Sequence, residues 1–234
     1  MKHTLRIKPL QITTLTAALL GALALGASQA YAQAAAPAAP AAAPAAAAPQ
    51  AQEGPEATIK RAVDGVTSTI NADRSIQSGD RSRITALVDT KIVPFVDPDA
   101  MTRSAVGPNW TKATPEQRSA LIHEFKTLLT NTYAGAFTSY RPDTQISYKP
   151  TRIDGDAAVV RSSVKTSGTD EIPIDYYLEK QNGVWKVTDL SVYNARLVEL
   201  YKSQFNAAIA ANGIDGLIRD LKAKNATGAA RAKS

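Results

Sequence analysis

The chain has 234 residues, no cysteine and a formal charge of +6. Without cysteine there is no disulfide framework and no thiol nucleophile, so stability must come from core burial, which a chain of this length can supply. The positive surplus sits at the ends, with Lys2, Arg6 and Lys8 at the start and Lys222, Lys224, Arg231 and Lys233 at the finish, and no acid in either stretch. The middle is therefore close to neutral and lacks the basic signature expected of a nucleic-acid-binding domain.

The first segment reads as a secretory leader over residues 1–32. A basic start is followed by an apolar stretch from Leu10 to Ala27 and by Ala30-Tyr31-Ala32, which fits the small-residue cleavage rule. Thr13, Thr14 and Thr16 interrupt the apolar run, and a spanning helix needs about 20 predominantly apolar residues. No later stretch is long and apolar enough to cross a bilayer. Export without cysteine points to a bacterial-type envelope compartment.

Residues 33–52 are almost only Ala, Pro and Gln, with prolines at 37, 40, 44 and 49. Such spacing prevents a continuous helix, and the lack of large apolar groups prevents a core. This is a disordered linker. A single domain is expected over residues 53–224, followed by a basic flexible tail over 225–234.

Helices come first. Ile59, Val63, Val66 and Ile70 share one helical face, predicting a helix that ends near Ser78-Gly79. A second carries Ile84, Leu87, Val88 and Ile92 and stops or kinks at Pro94. The third has Asp97 as N-cap, Pro98 at its first position and Gly107-Pro108 after its end. The fourth opens on the capping box Thr114-Pro115-Glu116-Gln117 and can run to Tyr140, about 39 Å of helix.

Strands follow. Ile146 and Tyr148 alternate with polar neighbours, and Asp154-Gly155-Asp156 turns into a strand from Ala157 to Thr166. Ile172, Ile174, Tyr176 and Leu178 alternate again, and Asn182-Gly183 signals a hairpin into a strand from Val184 to Val192. A helix from about Ala195 to Ala211 and a short one from Gly216 to Lys224 complete the domain. Helices, then half-covered antiparallel strands, then helix predict an α+β fold with helices on one face of a curved sheet.

Little in this pattern calls for catalysis. His3 lies in the leader, leaving His123 as the one histidine of the mature chain, with no Cys to help assemble a zinc site. No nucleophile elbow accompanies His123. Asp97-Pro98-Asp99 reads as a cap and Asp154-Gly155-Asp156 as a turn, neither continuing as a calcium loop. No cofactor or metal is implied. The block from Val88 to Tyr140 is instead rich in apolar and aromatic groups, as suits a domain that holds something.

Several segments together resemble a known family. They are Val88-Asp89-Thr90 through Pro94-Phe95, the corner Gly107 to Trp110, Ala113 through Arg118 into Phe125, and Thr132-Tyr133-Ala134. In the second half they are Gly183 through Asp189, Tyr201 through Phe205, and Gly213 through Ile218. Their order and spacing resemble the MlaC, or toluene-tolerance auxiliary substrate-binding, family of periplasmic phospholipid carriers. The likeness runs from about Thr58 to Lys224. It departs at Tyr193-Asn194-Ala195-Arg196, where relatives more often carry a small turn containing Gly or Ser.

The resemblance implies an NTF2-like cone, a curved sheet and helices enclosing a deep apolar cavity. It implies a shuttle moving phospholipid between an outer-membrane lipoprotein–porin complex and an inner-membrane ABC transporter with an MCE-domain subunit. The inward sets that would line the cavity are, from the sheet, Ile146, Tyr148, Val160, Val164, Ile174, Tyr176, Leu178, Trp185 and Val187. From the helices they are Val93, Phe95, Met101, Val106, Phe125, Leu129, Tyr133 and Phe137. The same spacing also suits ordinary core, and Tyr133-Ala134-Gly135-Ala136 suits either room for acyl tails or close helix packing. Two other readings fit the residues: a periplasmic interaction or chaperone module with a filled core, and a small hydrolase using distant carboxylates.

Overall fold

In the computed structural model the described residues are 53–231; the expected leader and linker lie outside them. The first helix, α1 (Pro55–Ala72), starts with proline at its first position and buries Ile59 and Ile70. It does not continue to Ser78-Gly79 as its apolar spacing suggests. Asp73 leaves the helical region at φ −123° and its carboxylate accepts the Ser75 N–H at 2.9 Å, capping a separate short helix, α2 (Arg74–Gln77). Aspartate's short polar side chain competes for backbone N–H groups and so favours a cap over a helix interior. The break has a packing consequence. In one continuous helix Ile70 and Ile76 would point about 120° apart, yet both are buried in the same cluster with Ile84, Leu87 and Val88.

Helix α3 (Arg81–Leu87) is capped by Asp80, which accepts from the N–H groups of Ser82 and Arg83. It runs into a π-helical turn (Val88–Ile92) and a 3-10 turn (Val93–Phe95). Pro94 lacks an N–H and crowds the preceding turn, which accounts for the loss of regular α geometry at this point. The next residues fix the chain to the sheet, with the Asp97 N–H donating to the Val187 carbonyl at 2.9 Å. Helix α4 (Pro98–Val106) begins as its sequence indicates, the Asp97 carboxylate accepting from the Ala100 N–H at 2.9 Å. It stops at Gly107, whose φ of +63° needs glycine. Beyond a 3-10 turn (Gly107–Lys112), the Thr114–Gln117 capping box opens α5 (Pro115–Thr138), two residues shorter than expected.

Among the described residues five antiparallel strands form one sheet in sequential order: β1 (Gln145–Asp154), β2 (Ala157–Lys165), β3 (Ile172–Gln181), β4 (Val184–Val192) and β5 (Ala195–Arg196). The register shifts once between β1 and β2 and once between β3 and β4, and such irregularities bend and twist a sheet. Strand β5 stands where a helix start is expected. Tyr193 and Asn194, both at positive φ, close a two-residue turn that pairs Val192 with Ala195.

Helix α6 (Leu197–Arg231) therefore begins two residues late. It is broken at Gly213 (φ 70°, ψ −179°), as its sequence indicates, but resumes at once and passes Lys224 to Arg231. Asn225, assigned to the tail by sequence, is buried. The protein is thus an α+β fold. Among the described residues no helix is long and apolar enough to cross a membrane.

Candidate functional site

Antiparallel pairing defines one face of the sheet. Ile146 opposes Val164, Tyr148 opposes Ser162, and Ser162 in turn opposes Ile174. Val160 opposes Tyr176, Ala158 opposes Leu178, and Ile174, Tyr176 and Leu178 oppose Val192, Leu190 and Val187. Directly opposed residues project to the same side, so these side chains share one surface.

Only one end of that surface is filled. Ile59 of α1 packs there with Ala158, Val160, Leu178, Trp185 and Val187, and Val63, Val96, Tyr148 and Tyr176 pack around them. Ile146, Val164 and Ile174, at the other end, are only partly buried and belong to none of the three hydrophobic cores found among the described residues.

The helical candidates divide in the same way. Met101, Val106 and Phe125 lie in the tight interior between α4, α5 and α6, where Phe125 meets Tyr201 and Phe205 edge-on at 5.0 and 5.1 Å. Leu129 packs against that core from its margin, and Val93 and Phe137 pack against the small core of α1, α2 and α3. Phe95 joins no core; the Arg61 guanidinium lies 4.7 Å from its ring centre. Tyr133 also joins none and is 37% exposed. Leu129, Tyr133 and Phe137 recur at four-residue spacing and so form one stripe of α5. This helix packs on α2, α3, α4 and α6 but has no extended packing on any strand. A Cβ on Gly135 would meet nothing within 4 Å, so close helix packing is not the reason for glycine there.

The polar groups of this region include the phenols of Tyr133, Tyr148, Tyr176 and Tyr201 and the hydroxyl of Ser162. Burial pushes the phenol pKa of Tyr148, Tyr176 and Tyr201 upward, and burial together with the neighbouring Tyr201 does so for Tyr133. All four are neutral hydroxyls at ordinary pH. Sequence reasoning missed Ser162, only 2% exposed on the inner face. Its position midway between Val160 and Val164 in an alternating strand was the available signal.

Two open hollows, of about 520 and 640 Å³, lie elsewhere. Asn109, Lys112, Asn206, Ile209 and Gly213 contribute to the first; Glu116, Ser119, His123, Glu124 and Lys222 contribute to the second. Neither includes any of the seventeen candidate residues. His123 is exposed, whereas the Glu124 carboxylate accepts from Asn225 Nδ2 at 2.7 Å. Among the described residues no three His, Cys, Asp or Glu side chains cluster to hold a metal ion.

Comparison with known proteins bears on the same domain. The sequence profile described as MlaC protein matches residues 60–223. The toluene tolerance protein ttg2D of Pseudomonas putida is 32% identical over 124 residues, 52% of this chain and 57% of that protein; the chain thus spans little more than half of that relative. The intermembrane phospholipid transport system binding protein MlaC of Haemophilus influenzae is 24% identical over 176 residues, 74% of this chain and 82% of that one. A solved structure of a phospholipid-binding protein from Ralstonia solanacearum, in complex with a phospholipid, matches with a TM-score of 0.71 and 40% identity. That match covers 74% of this chain and 98% of the solved one. With its profile matched across most of the described domain, the chain belongs to the MlaC family.

Proposed function

We propose that this protein is a periplasmic carrier of diacyl phospholipid. It holds acyl tails between the open end of the inner sheet face and the outward stripe of α5. The observation that carries this reading is the set of large apolar side chains left out of every core. Phe95, Tyr133, Ile146, Val164 and Ile174 are partly exposed and join no cluster, while α5 and the strands lack extended mutual packing. Grouped exposed apolar surface is a mark of a binding site. The 40% identical solved relative, described as holding a phospholipid, supports the same assignment.

The energetics suit a carrier. A chain of about 14 methylenes released into water would cost about 11 kcal/mol, at about 0.8 kcal/mol each. Half of a hydrocarbon core about 30 Å thick sets a tail depth of about 15 Å, within the length of α5. Val93, Leu129, Phe137, Tyr148 and Tyr176 border the wall and also brace the neighbouring cores. Met101, Val106, Phe125, Val160, Leu178, Trp185 and Val187 act mainly as packing behind it. The headgroup stays in water, so headgroup selectivity is weak.

In this reading the leader directs export, and the carrier hands lipid between an outer-membrane lipoprotein–porin complex and an inner-membrane ABC transporter with an MCE-domain subunit. It performs no chemistry on its cargo. Organic extraction of the purified protein followed by mass spectrometry tests the proposal. Co-purifying intact diacyl phospholipid is expected; a clean extract together with no uptake of labelled lipid overturns it. Release of free fatty acid on incubation would point to a hydrolase instead.

A further inference from the structure

We infer that the hydroxyls of Tyr148, Ser162 and Tyr176 form a polar station on the apolar inner face and hydrogen-bond the ester linkages of a bound lipid. The protein then selects ester-linked over ether-linked chains. This deepens the carrier reading and rests on it.

Strand register brings the three groups together. Tyr148 of β1 stands directly across from Ser162 of β2, and Tyr176 of β3 stands across from Val160, two residues along from Ser162. Opposed residues lie about 5 Å apart and diagonal ones about 7–8 Å, within reach of a phenol. Ser162 is only 2% exposed, between Val160 and Val164. Its hydroxyl donates to the Ile174 carbonyl at 3.4 Å, beyond the ordinary O–H···O range. The Tyr176 phenol also hydrogen-bonds the Ser162 side chain, so the two hydroxyls form a polar pair beside Tyr148.

Tyr148 supplies the second observation. Its phenol has no protein hydrogen bond among the described residues. The one buried side-chain atom left without a partner among those residues is Asn225 Oδ1. The Tyr148 oxygen is therefore not sealed in; it opens onto accessible space. Burial keeps both phenols protonated, and Tyr148, which has no protein partner among the described residues, retains a hydrogen to donate.

The location fits a lipid's linkage region. Tyr148 lies on the edge strand β1, and the ammonium of exposed Lys60, itself paired with Glu56 at 2.7 Å, lies 5.0 Å from its ring centre. On the other side Tyr148 adjoins the apolar row of Ile146, Val164 and Ile174. The station thus lies between charged surface and apolar wall. In a diacyl phospholipid that boundary is occupied by ester carbonyls, which accept hydrogen bonds and donate none. Ether-linked chains lack those carbonyl oxygens.

The test is competitive loading of the delipidated protein from vesicles holding equal amounts of diester and diether phosphatidylglycerol with matched tails. Bound lipid is then counted by mass spectrometry. Enrichment of the diester by at least about threefold is expected, the scale of one modest hydrogen bond. In Tyr148→Phe and Ser162→Ala the ratio of the lipid that does load should fall toward one. A ratio of one in the unaltered protein, or an unchanged ratio in both variants, overturns this inference alone. Failure to load either lipid overturns the carrier reading with it.

Discussion

The carboxylate of Asp189 accepts the backbone N–H of Val198 at 3.1 Å, so a side chain on β4 fixes the start of α6. The same oxygen accepts the Leu190 N–H at 2.8 Å, and the other oxygen accepts from Arg196 Nε at 2.7 Å. Arg196 in turn lies 4.1 Å from the ring centre of Tyr177. A buried acid with three donors ties β4, β5 and α6 into one unit. Asp189→Ala should cost about 2 kcal/mol by stranding buried N–H groups. Arg196→Ala should cost less than about 1 kcal/mol, since 46% of the Arg196 side chain is exposed. Urea unfolding of the two variants checks the order.

Wall and core residues should separate experimentally. Val164→Trp, at a partly exposed wall position, should reduce lipid loading severalfold and leave the unfolding midpoint nearly unchanged. Phe125→Ala, in the interior beside Tyr201 and Phe205, should lose about 3–5 kcal/mol of stability. Lipid counting and calorimetry on both proteins decide this; equal effects on stability would remove the distinction.

The C-terminal turns of α6 are structural. Asn225 Nδ2 donates to both the backbone carbonyl and the carboxylate of Glu124, at 3.0 and 2.7 Å. Ending the chain at Lys224 should destabilise it by about 2 kcal/mol, because Glu124 would be left without that partner. Asn225→Ala should reproduce most of the loss, and the denaturation midpoint is the readout.

The turn after β4 offers a gain. Tyr193 holds φ at 51° and is 59% exposed, a conformation that asparagine and glycine tolerate better than tyrosine. Tyr193→Asn should raise stability by about 0.5 kcal/mol, seen as a higher urea midpoint at unchanged slope.

Alkaline pH should weaken the fold. The phenols of Tyr148, Tyr176, Tyr201 and Tyr133 are all pushed above the usual tyrosine value of 10.0, chiefly by burial. A raised folded pKa means the stability carried by these neutral groups is whole below about pH 10 and is lost as pH rises through the folded values. Urea midpoints measured at about pH 8 and about pH 11 should fall with pH, and Tyr176→Phe should flatten that fall.

Local chemistry made many boundaries legible. Thr114 and Gln117 satisfy each other's backbone donors, Asp97-Pro98 starts α4, and Asn182-Gly183 supplies the two positive φ angles of a tight hairpin. Each signal is complete within a few residues, so the sequence alone determined it. The helical face of Ile59, Val63, Val66 and Ile70 was equally plain, but its interruption at Asp73 was not. Continuing or breaking there depends on where Ile76 finds apolar neighbours, and those come from α3 and α5.

Sequence by itself determined the α+β order of elements, the inward alternation of the strands and the likeness to a family of lipid carriers. Tertiary structure alone decided which apolar residues became core. Phe125 and Tyr133 lie on the same helix and looked equivalent in sequence. Phe125 is enclosed because Tyr201 and Phe205 return on α6 to meet it, whereas Tyr133 joins no core. Hydrophobicity is a property of the residue, but burial is a property of what arrives opposite it, and periodicity carries no record of that partner.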